Sequence, residues 1–371
     1  MKLIEFVVFH PWKALAVLVV GSLLGLGTFY AYQITTALDA VAVEAFDPDA
    51  ARGAIATIPD EVDAKTVTTV FDFFDEPTYD LEQELALIAA HLEQSPASAP
   101  FNLAAFGEPI DDSVFDAYLL VGTDASGHLA DAIILALQPT AGGSPIMVSL
   151  PRDLYVWNLC RETFTRLNSG LAGCSNVASG SELLAIMVED YTGIPIDHLA
   201  RINFDGFARV VDLLGGIEVC VDHPTRDMRA HLMIEEPGCQ TVGGDTALAW
   251  VRSRSPEELR GEEWVRVGGS DFSRQEHQQD ALFQLAGKAA GFSSPTSLAS
   301  TLSAVAQSVR LDSSWSFGQA VSAGWKYRGI TKDSVRRFSV SVRDYRTSYG
   351  AAVLLPTRPF VDNLAAVHSI P

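Results

Sequence analysis

Apolar residues fall in two patterns along the chain. The first is an unbroken run from Ala14 to Ile34 that contains no charged residue. A helix needs about twenty such residues to cross a bilayer. Lys2 and Lys13 precede the run, and Asp39, Glu44, Asp47 and Asp49 follow it. The positive-inside rule then predicts a cytoplasmic N-terminus over residues 1–13, one transmembrane anchor over 14–34, and the rest of the chain outside the cell membrane. A cleaved signal peptide is the alternative reading. The run is long for that, and no small-x-small site follows closely.

The second pattern starts near Asp116, where short apolar runs alternate with amphipathic segments. Residues 117–122, 132–137 and 145–150 are brief apolar stretches of strand character. Ser179 to Tyr191 predicts a helix, with Ser181 or Ser179 as N-cap and Gly193 as the stop. Phe204 to Leu214 predicts another, ended by Gly215 and Gly216, and Ile217 to Val221 a strand. Asp245 to Arg252 begins a helix. Arg274 to Ala290 is a long one, with Ala281, Leu282, Leu285 and Ala289 on one face. Ser297–Val309 and Phe317–Trp325 have helical character, Val335–Val342 and Ala351–Leu355 strand character. The alternation predicts an α/β domain over residues 116–365, a mixed central β-sheet with helices on both faces. No internal repeat is visible.

Residues 35–115 read as an acidic spacer or small accessory region, with one short amphipathic helix at Glu82–Leu92. Residues 38–115 hold 17 acidic against two basic residues, so this segment carries most of the net charge of −20. Such acidity excludes nucleic acid as the default partner, because phosphate neutralisation needs a basic surface. Hydrophobic content of 48% is that of a chain with a substantial core. The four cysteines, Cys160, Cys174, Cys220 and Cys239, all follow the apolar run. Of the three possible pairings, the sequence-local one is expected, Cys160–Cys174 and Cys220–Cys239. A zinc site is disfavoured by the absence of Cys-x-x-Cys spacing.

Within this acidic chain, arginines stand at particular places. Arg152 lies in Ser149-Leu150-Pro151-Arg152-Asp153, and Arg166 in Arg166-Leu167-Asn168. Arg252 and Arg254 lie in Trp250-Val251-Arg252-Ser253-Arg254, and Arg274 in Asp271-Phe272-Ser273-Arg274. Guanidinium forks hold phosphate oxygens at two points. Asp124 and Asp131 stand seven apart, flanking a turn between two predicted strands that would bring both to one loop. A carboxylate pair can hold a hard divalent cation. The set suggests a site for a diphosphate and its metal. Arg252 and Arg254 are two residues apart, about 200° round a helix, so both face one ligand only if the helix ends between them.

The ordered series of motifs resembles the LytR–CpsA–Psr family over roughly residues 116–360. It runs from Gly122-x-Asp124 and Asp131 through Ser-Leu-Pro-Arg-Asp and Arg-Leu-Asn. It continues with Phe204-Asp205-Gly206-Phe207 up to Val219, Ala247-Leu248-Ala249-Trp250-Val251-Arg252 and Asp271-Phe272-Ser273-Arg274-Gln275. The resemblance implies the family's α-β-α fold and a membrane-anchored phosphotransferase acting outside the cytoplasmic membrane. Its donor would be a polyprenyl-diphosphate-linked glycan drawn from membrane lipid, its acceptor peptidoglycan and its cofactor Mg²⁺, with a pyrophosphatase side activity. It also implies roles. Asp124 and Asp131 match the metal carboxylates; Arg152, Arg252 and Arg274 match catalytic phosphate ligands; Arg166 and Arg254 match head-group ligands. Asp153 either orients Arg152, acts as a base or forms a salt bridge only.

Two departures stand out. The family's first motif usually carries an arginine after Asp124 and another before Asp131; this chain has Ala125-Ser126 and Leu129-Ala130 there. That keeps alive a second reading, a non-catalytic paralogue that binds polyprenyl phosphate and scaffolds wall assembly. The acidic loop Ser255–Gly269 reads as a solvated insertion or an acceptor-side lid. Val121, Ile133, Leu135, Ile186, Phe204, Phe207, Val211 and Leu214 are apolar enough for a lipid slot or for plain core.

Overall fold

The computed structural model describes residues 42–57, 81–93, 109–124, 126–269, 271–289, 308–314 and 330–368, with a few isolated positions between 291 and 327. The apolar run 14–34 lies outside these residues. Among the described residues, no helix is long and apolar enough to cross a membrane.

The frame is a seven-stranded mixed sheet. Its strands are β1 (Ala42–Glu44), β2 (Phe115–Thr123), β3 (Ala130–Pro139), β4 (Ile146–Ser149), β7 (His198–Asn203), β14 (Val309–Asp312) and β15 (Arg336–Ser339), in the spatial order β1-β14-β7-β2-β3-β4-β15. β2 and β3 form a long antiparallel hairpin, and β2 pairs with β7 in parallel. Smaller sheets surround the frame. β5 (Tyr155–Asn158) pairs with β6 (Thr163–Arg166), and β8 (Ile217–Val221) with β11 (Gly238–Val242). β9 (Thr225–Asp227), β10 (Leu232–Ile234), β12 (Glu257–Arg260) and β13 (Glu263–Arg266) make one four-stranded sheet. β16 (Val342–Arg346) pairs with β17 (Ala352–Pro356). The helices are α1 (Pro48–Ile55), α2 (Leu81–Glu93), α3 (Gly180–Thr192), α4 (Phe204–Leu213), α5 (Gly244–Arg252), α6 (Asp271–Ala289) and α7 (Phe360–Ala365).

Burial along β2 explains how the two faces differ. Phe115, Ala117, Leu119 and Val121 are fully buried, while Tyr118, Leu120 and Gly122 between them are only half-buried. The first set packs with Ile133, Leu135, Leu137 and Val148 against α3, α1 and α7 in the main core. α3 is well delimited. Ser179 Oγ accepts from the Glu182 amide at 3.2 Å, Glu182 answers by accepting from the Ser179 amide at 2.7 Å, and Gly193 ends the helix in the left-handed conformation.

A second core gathers α4, α5, α6, β8 and β10 around Val211, Ile217, Val219, Ala247 and Ala281. Gly244 lets α5 approach α4, since a Cβ there would sit 2.2 Å from the Ala208 carbonyl oxygen. The disulfides join Cys160 to Cys174 and Cys220 to Cys239, as the spacing predicted. Between the opposite face of the central sheet and these helices the layers leave a cavity.

Several elements differ from expectation. Residues 335–342 are not one strand: β15 ends at Ser339 and β16 begins at Val342. Val309 opens β14 instead of ending a helix; of the remainder of the expected helix at 297–309 only 304, 306 and 308 are described, the first two as helix, and nearly all of that at 317–325 lies outside the described residues. The acidic loop 255–269 is ordered as the β12–β13 hairpin, pinned to β9. Two parts of the acidic segment fold onto the domain. α2 buries Ile88 among Tyr155, Phe164, Val353 and Leu355. β1 extends the central sheet, and Arg52 of α1 pairs with Asp190 at 2.6 Å and Glu189 at 3.1 Å on α3.

Candidate functional site

The cavity encloses about 520 Å³ between the sheet and helices α4, α5 and α6. Its floor is the half-buried face of the sheet, with Leu120, Gly122, Ala132, Ile134, Ala200, Ile202 and Val309 in lateral register. Small residues make the room. A Cβ on Gly122 would stand 3.1 Å from the Ala132 Cβ, so any larger pair would push into the void. Phe204, Phe207, Leu248, Val251 and Leu282 complete the apolar wall from the helices.

The lining is also cationic. Arg152, Arg229, Arg252, Arg254 and Arg274 line the cavity, against two aspartates, Asp131 and Asp227; Arg201 borders it through β7, with its guanidinium held by Ser181 and Glu44 on the α3 face of the sheet. Five guanidiniums against two carboxylates, in a chain of net charge −20, is a strong local inversion of sign. An anion with an apolar tail matches it.

Local structure places each arginine. Arg152 follows β4 in a turn closed by the Leu154 amide donating to the Pro151 carbonyl at 3.0 Å. The Asn168 amide donates to the Arg152 carbonyl at 3.0 Å, so the Pro-Arg-Asp and Arg-Leu-Asn motifs are spliced together by backbone. Arg152 forms an ion pair with Asp131. α5 ends at Arg252, and Ser253 is already extended at φ −65°, ψ 130°. The helix therefore stops between Arg252 and Arg254, and both reach the cavity. The Arg252 guanidinium lies over the Phe204 ring, 4.5 Å from its centroid, and has no carboxylate partner among the described residues. Arg274, Gln278 and Leu282 line the cavity at helical spacing from α6, and Arg274 is buried. Phe204 and Phe207 are aimed by the start of α4, where Asn203 Oδ1 accepts from the Gly206 amide at 2.8 Å.

Other predicted residues stand aside from the cavity lining. Asp153 sits between Arg152 Nε at 3.6 Å and Arg166 Nε at 3.5 Å, and Arg166 also donates to the Ala352 carbonyl at 2.8 and 3.1 Å. The pair braces the Arg152 turn. Asp124 and Asp131 flank the β2–β3 turn as expected, but only Asp131 lines the cavity. Asp124 accepts from Ser126 Oγ through both oxygens, at 2.8 and 2.7 Å. Burial alone would raise its carboxyl; the Ser126 hydroxyl and the amides of Leu129, Gly127 and His128 outweigh that and hold it below the ordinary range. Of the apolar candidates, Phe204 and Phe207 line the cavity, while Val121 borders it but is buried in the main core. Ile133, Leu135 and Ile186 belong to the main core, Val211 and Leu214 to the second.

Three residues escaped the sequence reading. Arg201 arrives on β7, whose strand character was not recognised. Arg229 follows β9. Asp227, buried at the end of β9, accepts five hydrogen bonds, from Ser253 Oγ at 2.8 Å and from the amides of Arg254, Ser255, Arg229 and Ala230 at 2.9–3.3 Å. Burial pushes this carboxyl up, yet the bonds from Ser255, Ser253, Arg254 and Ala230 bring it below the usual carboxylate range. One buried carboxylate thus ties together the two loops that carry Arg229, Arg252 and Arg254. No short motif marks it.

The family model of the LytR_cpsA_psr family matches residues 88–365. Curated relatives include the probable cell wall biosynthesis protein LcpB of Corynebacterium glutamicum, 34% identical over 159 residues that cover 37% of this chain and 36% of that protein. Another is the polyisoprenyl-teichoic acid–peptidoglycan teichoic acid transferase TagU of Halalkalibacterium halodurans, 31% identical over 224 residues, 58% of this chain and 66% of that protein. The aligned stretch thus spans less than two thirds of either relative. Among solved structures, the LytR-Csp2A-Psr enzyme from Actinomyces oris is similar with a TM-score of 0.56 at 26% identity, covering 71% of this chain and 93% of that one.

Proposed function

The chain belongs to the LytR–CpsA–Psr family, and from that premise we propose that it transfers a glycopolymer from a polyprenyl-diphosphate carrier onto peptidoglycan, held at the outer face of the membrane by residues 14–34. The observation that carries the proposal is the cavity itself, with an apolar floor along the sheet and five arginines in its lining. An apolar slot suits the prenyl chain, and the guanidinium cluster suits the diphosphate. TagU is named for the transfer of teichoic acid to peptidoglycan, which is the same class of reaction.

In this reading a wall hydroxyl attacks the phosphorus next to the glycan. The new P–O bond forms as the bridging P–O bond breaks, and the lipid leaves as its monophosphate, the net proton departing with the products. Arg252, which has no carboxylate partner among the described residues, and Arg274, held in a buried position, face the charge that grows on the departing phosphate. Arg254 and Arg229 hold the rest of the head group. Arg152 is oriented by Asp131 and by the Asp153–Arg166 brace. That brace makes Asp153 a positioning residue.

The aspartate hairpin fits Mg²⁺ in part. Asp131 lines the cavity and Asp124 is biased towards its ionised form. Among the described residues these two join no third His, Cys, Asp or Glu ligand in a cluster. Asp124 and Asp131 would therefore hold the ion together with phosphate oxygens and water, which suits a cation that keeps part of its hydration shell. When bound, the ion would neutralise diphosphate charge.

The test is release of prenyl monophosphate from a short-chain prenyl-diphosphate sugar by the full-length protein. Turnover that disappears in Arg152→Ala supports the transferase. Tight donor binding without turnover, with or without Mg²⁺, would support the alternative of a carrier-lipid binder, which Ala125-Ser126 in place of the family's usual arginine favours.

A further inference from the structure

Met228 stands in the turn between β9 and β10 and is 69% exposed, more than any other large apolar side chain among the described residues. Its neighbours Arg229 and Ala230 line the cavity, and Arg229 is itself exposed. The turn is therefore part of the cavity rim. Met233 on β10 is exposed too, in register with Arg226 on β9. The sheet that carries them, β10-β9-β12-β13, is charged unequally along its strands. Arg226, Arg229 and Arg266 stand at the end with the Met228 turn. The acidic groups there are engaged: Glu257 pairs with Arg226 at 2.8 Å, and Asp227 accepts its five hydrogen bonds. Register carries Glu235, Glu236, Glu262 and Glu263 beyond Thr225 and Glu258, to the opposite end.

The central sheet supplies a second observation. Thr123, which closes β2, lies opposite Asn203, which closes β7, and opposite Ala130, which opens β3. These strand ends border the cavity, whose floor includes Gly122, Ala132 and Ile202 beside them. β1 begins at the same end. Ala42, its first residue, pairs with Arg310, and Arg310 with Arg201, two places before the end of β7. β1 runs parallel to β14, and β14 antiparallel to β7, so β1 starts from the end where β7 and β2 stop. Ala42 follows Ile34, the last residue of the apolar run, by eight residues, which reach at most about 28 Å. An anchor in residues 14–34 therefore holds this end of the sheet, with the cavity rim, close to a bilayer.

We propose that the Met228 turn is a membrane-docking tip, which seats the rim of the cavity on the interface of a bilayer containing anionic lipid. The proposal rests on the reading of residues 14–34 as a membrane anchor. Methionine is a flexible apolar side chain that can enter the boundary between headgroups and acyl chains, and the arginines beside it meet acidic headgroups. The acidic far end of the same sheet is repelled by that surface, so charge orients the tip as well as attracting it. A docked rim lets a prenyl chain pass from bilayer to slot without exposing its apolar surface to water.

The experiment places an environment-sensitive fluorophore on the full-length protein in vesicles of phosphatidylcholine and phosphatidylglycerol. All four cysteines are in disulfides, so an introduced thiol takes the label. A label at Met228→Cys is expected to shift its emission to the blue and to be quenched by lipids brominated along the acyl chain. A label at Glu262→Cys, at least about 10 Å away along the sheet, is expected to do neither. Met228→Asp is expected to slow uptake of a prenyl diphosphate from vesicles about five- to tenfold and to leave the Kd for farnesyl diphosphate in detergent unchanged. An aqueous label at Met228, equal quenching at both positions, or normal uptake by Met228→Asp would overturn the inference. So would shielding of the label that follows protein concentration in place of lipid, the mark of a second copy of the chain. A wild-type chain that does not float with the vesicles would overturn the anchor reading, and this inference with it. Uptake absent from the wild type would overturn the donor-site reading, and the label then decides the docking.

Discussion

At Arg252, helix geometry, stacking and charge meet in one side chain. It is the last residue of α5, lies over Phe204, and has no competing carboxylate among the described residues. Arg252→Ala is expected to lower kcat/KM for donor by about 10²–10³-fold, the usual loss when one preorganised charge-stabilising group is removed. Arg252→Lys keeps the charge but loses the planar fork and its stacking, so steady-state kinetics should show only partial recovery. Asp227 acts through others. Removing the charge that gathers five hydrogen bonds should cost on the order of 3 kcal/mol in Asp227→Asn, read from denaturant midpoints near neutral pH. The sign of its pH dependence follows from its lowered carboxyl. A carboxyl that titrates lower in the folded chain stabilises fully above its unfolded value, near about 3.9, and that stability is lost as pH falls through the folded value. The gap between wild type and Asp227→Asn should therefore narrow as pH drops below about 4. A gap that stays constant would assign the effect to shape alone.

At the scale of elements, the floor of the cavity explains what was legible in the sequence and what was not. β2, β3 and β4 carry long apolar runs because one face fills the main core, and those runs revealed them. β7 reads His-Leu-Ala-Arg-Ile-Asn, without such a run. Ala200 and Ile202 face the cavity and Arg201 reaches Glu44, so this central strand lacks the pattern a packed strand shows. The cavity on one face and the Glu44 ion pair on the other erased the signal, and Arg201 was missed with the strand. β9, β10, β12 and β13 span three or four residues each, too short for periodicity to register. Asp227 was hidden with them. The helix ends and the disulfides, by contrast, depend on local spacing and were readable. Ala200→Phe should fill the slot. Prenyl-diphosphate binding should weaken at least about tenfold, while stability changes by no more than the roughly 1–3 kcal/mol typical of overpacking. Titration with farnesyl diphosphate, beside a thermal melt, separates the two. Cys220→Ala with Cys239→Ala opens the β8–β11 clasp and should cost about 3 kcal/mol, measured by denaturant unfolding.

At the scale of the molecule, an acidic body surrounds one basic cavity. Such a field repels polyanions from most of the surface and concentrates an anionic head group at a single place. The Debye length is about 8 Å at physiological ionic strength, so part of this attraction is screened. Raising salt should weaken binding of farnesyl diphosphate and leave farnesol, which has the same tail without charge, largely unaffected. Equal salt dependence of both ligands would disconnect the arginines from recognition. The described parts of the acidic segment add a second molecular feature, since β1 and α1 bind the segment that follows the apolar run to α3 and to Arg201. The central claim is that the cavity both seats a prenyl diphosphate and discharges it. Its most direct test incubates the full-length protein in detergent with a short-chain prenyl-diphosphate sugar and a peptidoglycan fragment, with and without Mg²⁺, and counts prenyl monophosphate against glycan-linked fragment. The account predicts equal, metal-dependent formation of both products, abolished in Arg152→Ala and Arg252→Ala. Donor that binds tightly and is recovered intact under every metal condition would contradict it.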